Sequence, residues 1–185
     1  MSADSLEREV KLRFASPEEA RAAILRMNAT PVRGRRLQED CLVDTPDGFL
    51  RSRRSVLRVR SDQGRSLLTY KGPVQPSPFK LREERETVAA DGETLLYILG
   101  QLGFTPWFRY EKYREEFGAL DAVIAIDETP IGTFVEIEGT EHAIGAIAAD
   151  LGRGPADYVL ESYRGLYVQH CAAAGRPVGD MVFDE

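Results

Sequence analysis

The sequence predicts an α+β fold, an eight-stranded antiparallel β-barrel (a tunnel) with a polar, charged interior and flanking helices. Three observations carry that expectation. About eight segments have strand character, and turn signals join most of them as hairpins. On six of them, ionic residues recur at a spacing of two, which places them on one face of a strand. Several of these rows are backed by an apolar opposite face, and amphipathic helices between the strands can cover it.

Glu7-Arg8-Glu9-Val10-Lys11 opens the chain as a strand, with Glu7, Glu9 and Lys11 on one face and Arg8, Val10 and Leu12 on the other. Alone, such a row belongs to a solvated surface; its recurrence argues otherwise. Ser16-Pro17-Glu18-Glu19 starts a helix, with a cap, a first-turn proline and a capping-box glutamate. Ala20, Ala23, Ile24 and Met27 follow at helical spacing. Arg36 to Thr45 reads as a strand ended by the turn Thr45-Pro46-Asp47-Gly48. Phe49 to Ser55 is a basic connection whose arginines, Arg51, Arg53 and Arg54, are either simply exposed or at a cavity mouth. Val56 to Arg60 alternates strictly, with Arg58 and Arg60 opposite Leu57 and Val59. Gly64 marks a hairpin into Ser66 to Lys71, where Thr69 and Lys71 share a face. Gly72-Pro73 and a Pro/Ser-rich loop, Val74 to Phe79, lead to a strand over Lys80 to Ala89. There Arg82, Glu84 and Glu86 oppose Glu83, Arg85 and Thr87, so alternation alone does not say which face points inward.

Asp91 caps a second helix with the stripe Leu95, Leu96, Ile98, Leu99 and Leu102, closed by Gly103. Trp107 to Phe117 is a long strand with Lys112, Arg114 and Glu116 on one face, Tyr113 and Glu115 on the other. Asp121 to Glu128 is mostly apolar, with Asp127 near its end. After the turn Pro130-Ile131-Gly132, Thr133 to Glu138 alternates Glu136 and Glu138 against Val135 and Ile137. Thr140 caps a third helix (Ile144, Ile147, Ala148, Leu151) and Ser162 a fourth, to about Ala174. The tail from Gly175 reads as loosely held.

A chain of 185 residues, 43% apolar and 29% charged, fits one globular domain that needs no disulfide staples. Cys41 and Cys171 have no metal spacing, and the start lacks a signal peptide, so a reduced cytoplasmic protein is expected. No apolar run is long enough to span a bilayer. The net charge of −6 argues against nonspecific binding to nucleic acid or to an anionic membrane, though not against an anionic ligand in a locally basic cavity. Oligomeric state stays open between a monomer and a homodimer.

The charged rows carry the chemistry. Arg58/Arg60, Lys71, Arg82/Glu84/Glu86, Lys112/Arg114 and Glu136/Glu138 join Glu7/Glu9/Lys11, with Asp127 at a strand end. A barrel interior of this kind is costly unless its charges pair or hold a ligand. Carboxylates grouped without His or Cys suit a hard cation, Mg²⁺ or Mn²⁺. Arginines and lysines beside them suit phosphate oxygens. Together the residue types point to a metal–polyphosphate.

The ordered set resembles the CYTH domain, the triphosphate tunnel metalloenzymes. Glu7-x-Glu9-x-Lys11 matches its ExExK signature. Leu57-Arg58-Val59-Arg60, Leu68-Thr69-Tyr70-Lys71-Gly72, Arg82 to Thr87, Glu111-Lys112-Tyr113-Arg114, and Ile126-Asp127 with Gly132 to Gly139 follow in the family's order. Ser162-Tyr163 resembles the start of its closing helix. The likeness covers about residues 4–168 of a single domain, 1–185, with the tail at about 175–185. It implies that Glu7, Glu9, Glu136 and Glu138 hold metal, with Asp127, Glu84 and Glu86 in support. Lys11, Arg58, Arg60, Lys71, Arg82, Lys112 and Arg114 would hold the phosphates. Lys71 and Glu9 are the catalytic candidates; Lys71, set among cations, is a candidate for a lowered pKa.

The resemblance places a class IV adenylate cyclase-type reaction first, ATP to cyclic AMP and pyrophosphate. A triphosphatase acting on inorganic triphosphate or thiamine triphosphate comes next, then a non-catalytic polyphosphate or nucleotide-binding module. The partner is a triphosphate-bearing small molecule, with no nucleic acid and no membrane. No stretch reads plainly as an adenine pocket; Trp107, Phe108 and Tyr110 can stack a base but serve packing more often.

Overall fold

Strand alternation and helix caps build the architecture in this computed structural model, which describes residues 6–184. Residues 1–5 and 185 lie outside it, and with them the expectation of a leaderless start and the first residues of the core. The strands are β1 (Leu6–Phe14), β2 (Thr30–Asp44), β3 (Val56–Asp62), β4 (Arg65–Lys71), β5 (Lys80–Ala89), β6 (Thr105–Ala119), β7 (Ala122–Thr129) and β8 (Gly132–Glu138). They close into an antiparallel barrel in the order β1-β5-β4-β3-β2-β6-β7-β8. The helices are α1 (Pro17–Arg26), α2 (Phe49–Ser52), α3 (Gly92–Gln101), α4 (Glu141–Asp150) and α5 (Tyr163–Ala173), with a 3-10 turn at Pro155–Asp157. All four expected caps form: Ser16, Asp91, Thr140 and Ser162 each accept a hydrogen bond from the amide three residues on.

Residues on the outward faces make the core. Val10, Leu12, Ile124, Ile126, Val135 and Ile137 meet Ile24 of α1 and Ile144 and Ile147 of α4. Cys41, Val43 and Val59 pack under Leu99 of α3. The hydrophobic layer therefore lies between barrel and helices, and the inward faces are left to charge.

Three expectations change. The second strand begins at Thr30 rather than Arg36, and its register shifts against β6 between Pro31 and Arg36 absorb the irregular start. The basic connection contains α2, because the Asp44 carboxylate accepts from the Leu50 and Arg51 amides. The tail is held rather than loose. The Met181 amide donates to the Arg109 carbonyl and the Glu111 amide to the Met181 carbonyl, both at 2.9 Å, and the Met181 side chain is fully buried. Pairing of β6 with β7 starts only at Tyr113, so the earlier part of β6 has an open edge for the tail to cover.

Candidate active site

Inward-facing side chains line one cavity of about 590 Å³ that runs through the barrel. Carboxylates gather on β1, β5 and β8. Register aligns them: Glu7 lies opposite Arg82 and Glu9 opposite Lys80 across β1–β5, and Glu9 lies opposite Glu138 across β1–β8. This pairing also decides which face of β5 points inward: Lys80, Arg82, Glu84 and Glu86 line the cavity, while Glu83 and Arg85 pair with each other outside.

Lys71 Nζ bridges Glu7 and Glu84, 2.7 Å from an oxygen of each. Burial and Glu9 disfavour the Glu7 anion, but Lys71, the Glu84 hydrogen bond and Arg82 outweigh them and lower its pKa. Glu84 is pushed up, by burial and by Glu7. Glu9 accepts from Lys11 at 2.9 Å and Lys80 at 2.6 Å. Those cations hold it well below the usual carboxylate range against its burial. Glu136 pairs with Lys11 at 3.2 Å and with Arg114. Glu138, exposed at the end of β8, makes no ion pair among the described residues; partial loss of water on its cavity side and the charges of Glu7, Glu9 and Glu84 push it up to about 7.

Cations dominate β2, β3 and β6, and buried aspartates aim them. Asp40 grips Arg60 at 2.9 and 3.1 Å and lies 3.3 Å from Arg58. Arg58 also donates to Thr69 at 3.1 Å. Asp62 accepts from Arg36 and Gln38 and pairs with Arg33. Asp127 accepts from Lys112 at 2.8 Å, from Arg114 and from the Tyr163 hydroxyl at 2.7 Å. The Tyr163 ring in turn lies 5.2 Å from both Lys11 and Lys112. Burial lowers Lys80 to about 8, and burial with Arg114 lowers Lys112 to about 8. Lys112 and Lys80, the latter left out of the sequence reading, are thus lysines whose pKa falls in the cavity.

Most expected residues meet in this cavity: Glu7, Glu9, Lys11, Arg58, Arg60, Lys71, Arg82, Glu84, Glu86, Lys112, Arg114, Glu136 and Glu138 all line it. Asp127 sits behind the wall, with both oxygens engaged by cations and Tyr163. Glu86 stands at the rim, its side chain 39% exposed, bonded to Thr69. Sequence reading missed Lys80, Asp40, Asp62 and Arg36. The signal was present, since Arg36, Gln38 and Asp40 alternate and Asp62 and Lys80 each extend a charged row by one step. Tyr163 was noted only as a helix start.

Among the described residues, no group of three His, Cys, Asp or Glu side chains stands ready as a metal cage. Glu7, Glu9 and Glu136 are each turned onto lysine or arginine instead. The donor set nonetheless fits a hard divalent cation, being all oxygen and anionic. The crowding that raises Glu138 is repulsion a cation would relieve.

The family pattern described as the CYTH domain matches residues 5–159. A Methanocaldococcus jannaschii protein provisionally named an adenylate cyclase is 33% identical over 105 residues. That stretch is 56% of this chain and 60% of the relative, so the chain matches less than two thirds of that protein's length. A Vibrio parahaemolyticus structure with the same provisional name superposes with a TM-score of 0.77 at 20% identity, covering 88% of this chain and 97% of its own. A Pyrococcus horikoshii structure reaches 0.72 at 25% identity, over 89% and 99%. A Hippeastrum protein, provisionally named an adenylyl cyclase and described as revealing a dominant triphosphatase activity, reaches 0.65 at 19% identity, over 93% and 97%.

Proposed function

The chain belongs to the CYTH domain family, and on that premise we propose that it is a metal-dependent enzyme acting on a triphosphate inside the tunnel. One observation carries the reading: a single cavity sets carboxylates on β1, β5 and β8 against guanidinium and ammonium groups on β2, β3 and β6. Glu7, Glu9, Glu84, Glu136 and Glu138 would hold Mg²⁺ or Mn²⁺, which when bound neutralises phosphate charge and favours departure of the leaving group. Lys11, Arg58, Arg60, Lys71, Arg82, Lys112 and Arg114 bind the phosphate oxygens. Asp40 and Asp127 keep Arg58, Arg60, Lys112 and Arg114 in fixed directions, so little reorganisation is needed as charge shifts. Glu86, at the rim, supports Arg58 through Thr69.

The finer reading is a class IV adenylate cyclase-type reaction. The ribose 3′-oxygen bonds to the α-phosphorus, the bond to the bridging oxygen breaks, and pyrophosphate leaves with cyclic AMP formed. The name of the Methanocaldococcus relative supports it. Hydrolysis of inorganic or thiamine triphosphate is the second reading. Phe108 and Tyr110 are buried, and Trp107 is stacked by Arg51 and Arg164, so these aromatics offer a base little free surface. The Hippeastrum protein's activity points the same way for a barrel of this shape.

Incubation with ATP, inorganic triphosphate and thiamine triphosphate, each with Mg²⁺ or Mn²⁺, separates the readings. Cyclic AMP with pyrophosphate supports the cyclase; orthophosphate without cyclic AMP overturns it for the hydrolase. Binding without turnover of any substrate leaves a non-catalytic module. Lys71, in contact with Glu7 and Glu84, is assigned to proton transfer. Lys71→Met should then cut turnover by about a thousandfold while triphosphate affinity falls by only about tenfold, the loss of one charge-assisted contact; matched losses in both would remove that role.

A further inference from the structure

The mouth of the tunnel carries arginines that the triphosphate reading leaves unused. Asp44, buried at the end of β2, accepts from the Arg51 amide at 3.1 Å and from its Nε at 3.0 Å. That anchors α2 and sets the Arg51 guanidinium 4.6 Å from the centre of the Trp107 ring. Arg164, in the first turn of α5, lies over the same ring at 4.9 Å. Arg54 lines the same opening. Arg51 is the one member of the three with an ion-pair partner among the described residues. The Arg164 Nε is buried without a hydrogen-bond partner. Burial and the charge of Arg51 push the Arg164 guanidinium down from its usual pKa. Two cations crowd one indole, and an anion beside them would lower the cost.

Arg54 adds an independent sign. The chain leaves α2 with the Ser55 amide bonded to the Leu50 carbonyl and the Arg54 amide to the Arg51 carbonyl, both at 2.9 Å. In that double-bonded helix end the left-handed position favours glycine. Here it is occupied by Arg54, at φ 56°. A side chain at such a position is strained, and this one projects charge into the cavity mouth. Asn28, Gln63, Leu120 and Asp121 share such angles, so what bears on a ligand is that the Arg54 side chain lines the cavity mouth.

We propose that Arg51, Arg54 and Arg164 form a further anion subsite at the mouth, holding a phosphoryl group carried one position beyond a triphosphate. The ligand class is a linear tetraphosphate, free or esterified to a nucleoside. The inference rests on the triphosphate reading of the tunnel, and it extends the row of cations from the interior to the rim.

Calorimetric titration of the full chain without added divalent cation tests it, using inorganic tripolyphosphate, tetrapolyphosphate, ATP and adenosine 5′-tetraphosphate. The wild-type chain should bind a tetraphosphate about tenfold more tightly than its triphosphate counterpart, the effect of one more set of charge-assisted contacts. Arg54→Gly and Arg164→Gln should each cut that preference to about threefold or less, with triphosphate affinity within about twofold. Arg54→Gly should also raise the melting temperature, because glycine relieves the left-handed strain. A preference confined to the inorganic pair, or to the adenosine pair, supports the subsite and identifies the source of the phosphoryl group. Equal affinity for three and four phosphates in both pairs overturns it. So does an equal loss for both lengths in the variants, or a fall in melting temperature for Arg54→Gly. If neither triphosphate binds with or without added Mg²⁺, the triphosphate reading falls as well; if they bind without a length preference, only the subsite falls.

Discussion

Asp127 and Glu138 lie on adjacent strands, β7 and β8, in opposite surroundings. Asp127 has no solvent exposure and takes hydrogen bonds from Lys112, Arg114 and Tyr163. Glu138 faces Glu7, Glu9 and Glu84 and is raised to about 7. The same division runs round the barrel. Asp40 and Asp62 are gripped by arginines, whereas Glu84 is pushed up by burial and by Glu7. A buried carboxylate ringed by cations is framework, since removing it strands several charges at once. A carboxylate ringed by other carboxylates keeps repulsion that a bound proton or an added cation relieves. The tunnel thus separates charges that hold the barrel together from charges that wait for a ligand.

The most severe way to break this contrast is Asp127→Ala. It leaves Lys112, Arg114 and the Tyr163 hydroxyl without their shared acceptor and should cost about 3–5 kcal/mol of stability by denaturant unfolding. A loss under about 1 kcal/mol would place Asp127 outside the framework.

Glu138→Gln should act in the opposite direction on the fold. Removing a repelled carboxylate should raise the melting temperature of the metal-free protein, while Mg²⁺ or Mn²⁺ affinity falls by about tenfold or more. Its pH signature follows from the raised pKa. Between the unfolded value, about 4.3, and about 7, the folded state holds a proton that the unfolded state has released. The contribution of this group to stability therefore falls as pH rises through that window and levels off above it. Glu138→Gln should flatten this part of the stability–pH curve; an unchanged slope would mean that crowding at β8 is not felt. The smallest effect belongs to Glu86→Gln at the exposed rim. Its stability should stay within about 0.5 kcal/mol of the original, measured by the same unfolding assay.

Much of the barrel was legible because strand alternation is a local property. The parity of Arg58/Arg60, Lys112/Arg114 and Glu136/Glu138 against their apolar neighbours survives intact in the structure. The helix starts were legible for a similar reason, as a cap and its amide lie three residues apart. β5 was ambiguous, since both of its faces are charged, and only its register against β1 turns Arg82 and Glu84 inward. The held tail was invisible because its partner is an open edge of β6, created where β7 stops. α2 went unseen because its anchor, Asp44, lies before the turn and bonds to amides six and seven residues on.

Sequence alone determined which side chains share a face, where four helices begin, and that the shared faces carry both signs of charge. Tertiary structure alone decided which charges cancel. Lys71 meets Glu7 across 64 residues of chain and Lys80 meets Glu9 across 71, while Glu138, a short step along β8 from the paired Glu136, meets other carboxylates. Coulomb interaction depends on separation in space and on burial. Closure of the barrel sets both, and so divides chemically similar carboxylates into neutralised framework and, at Glu138, one left without a cation.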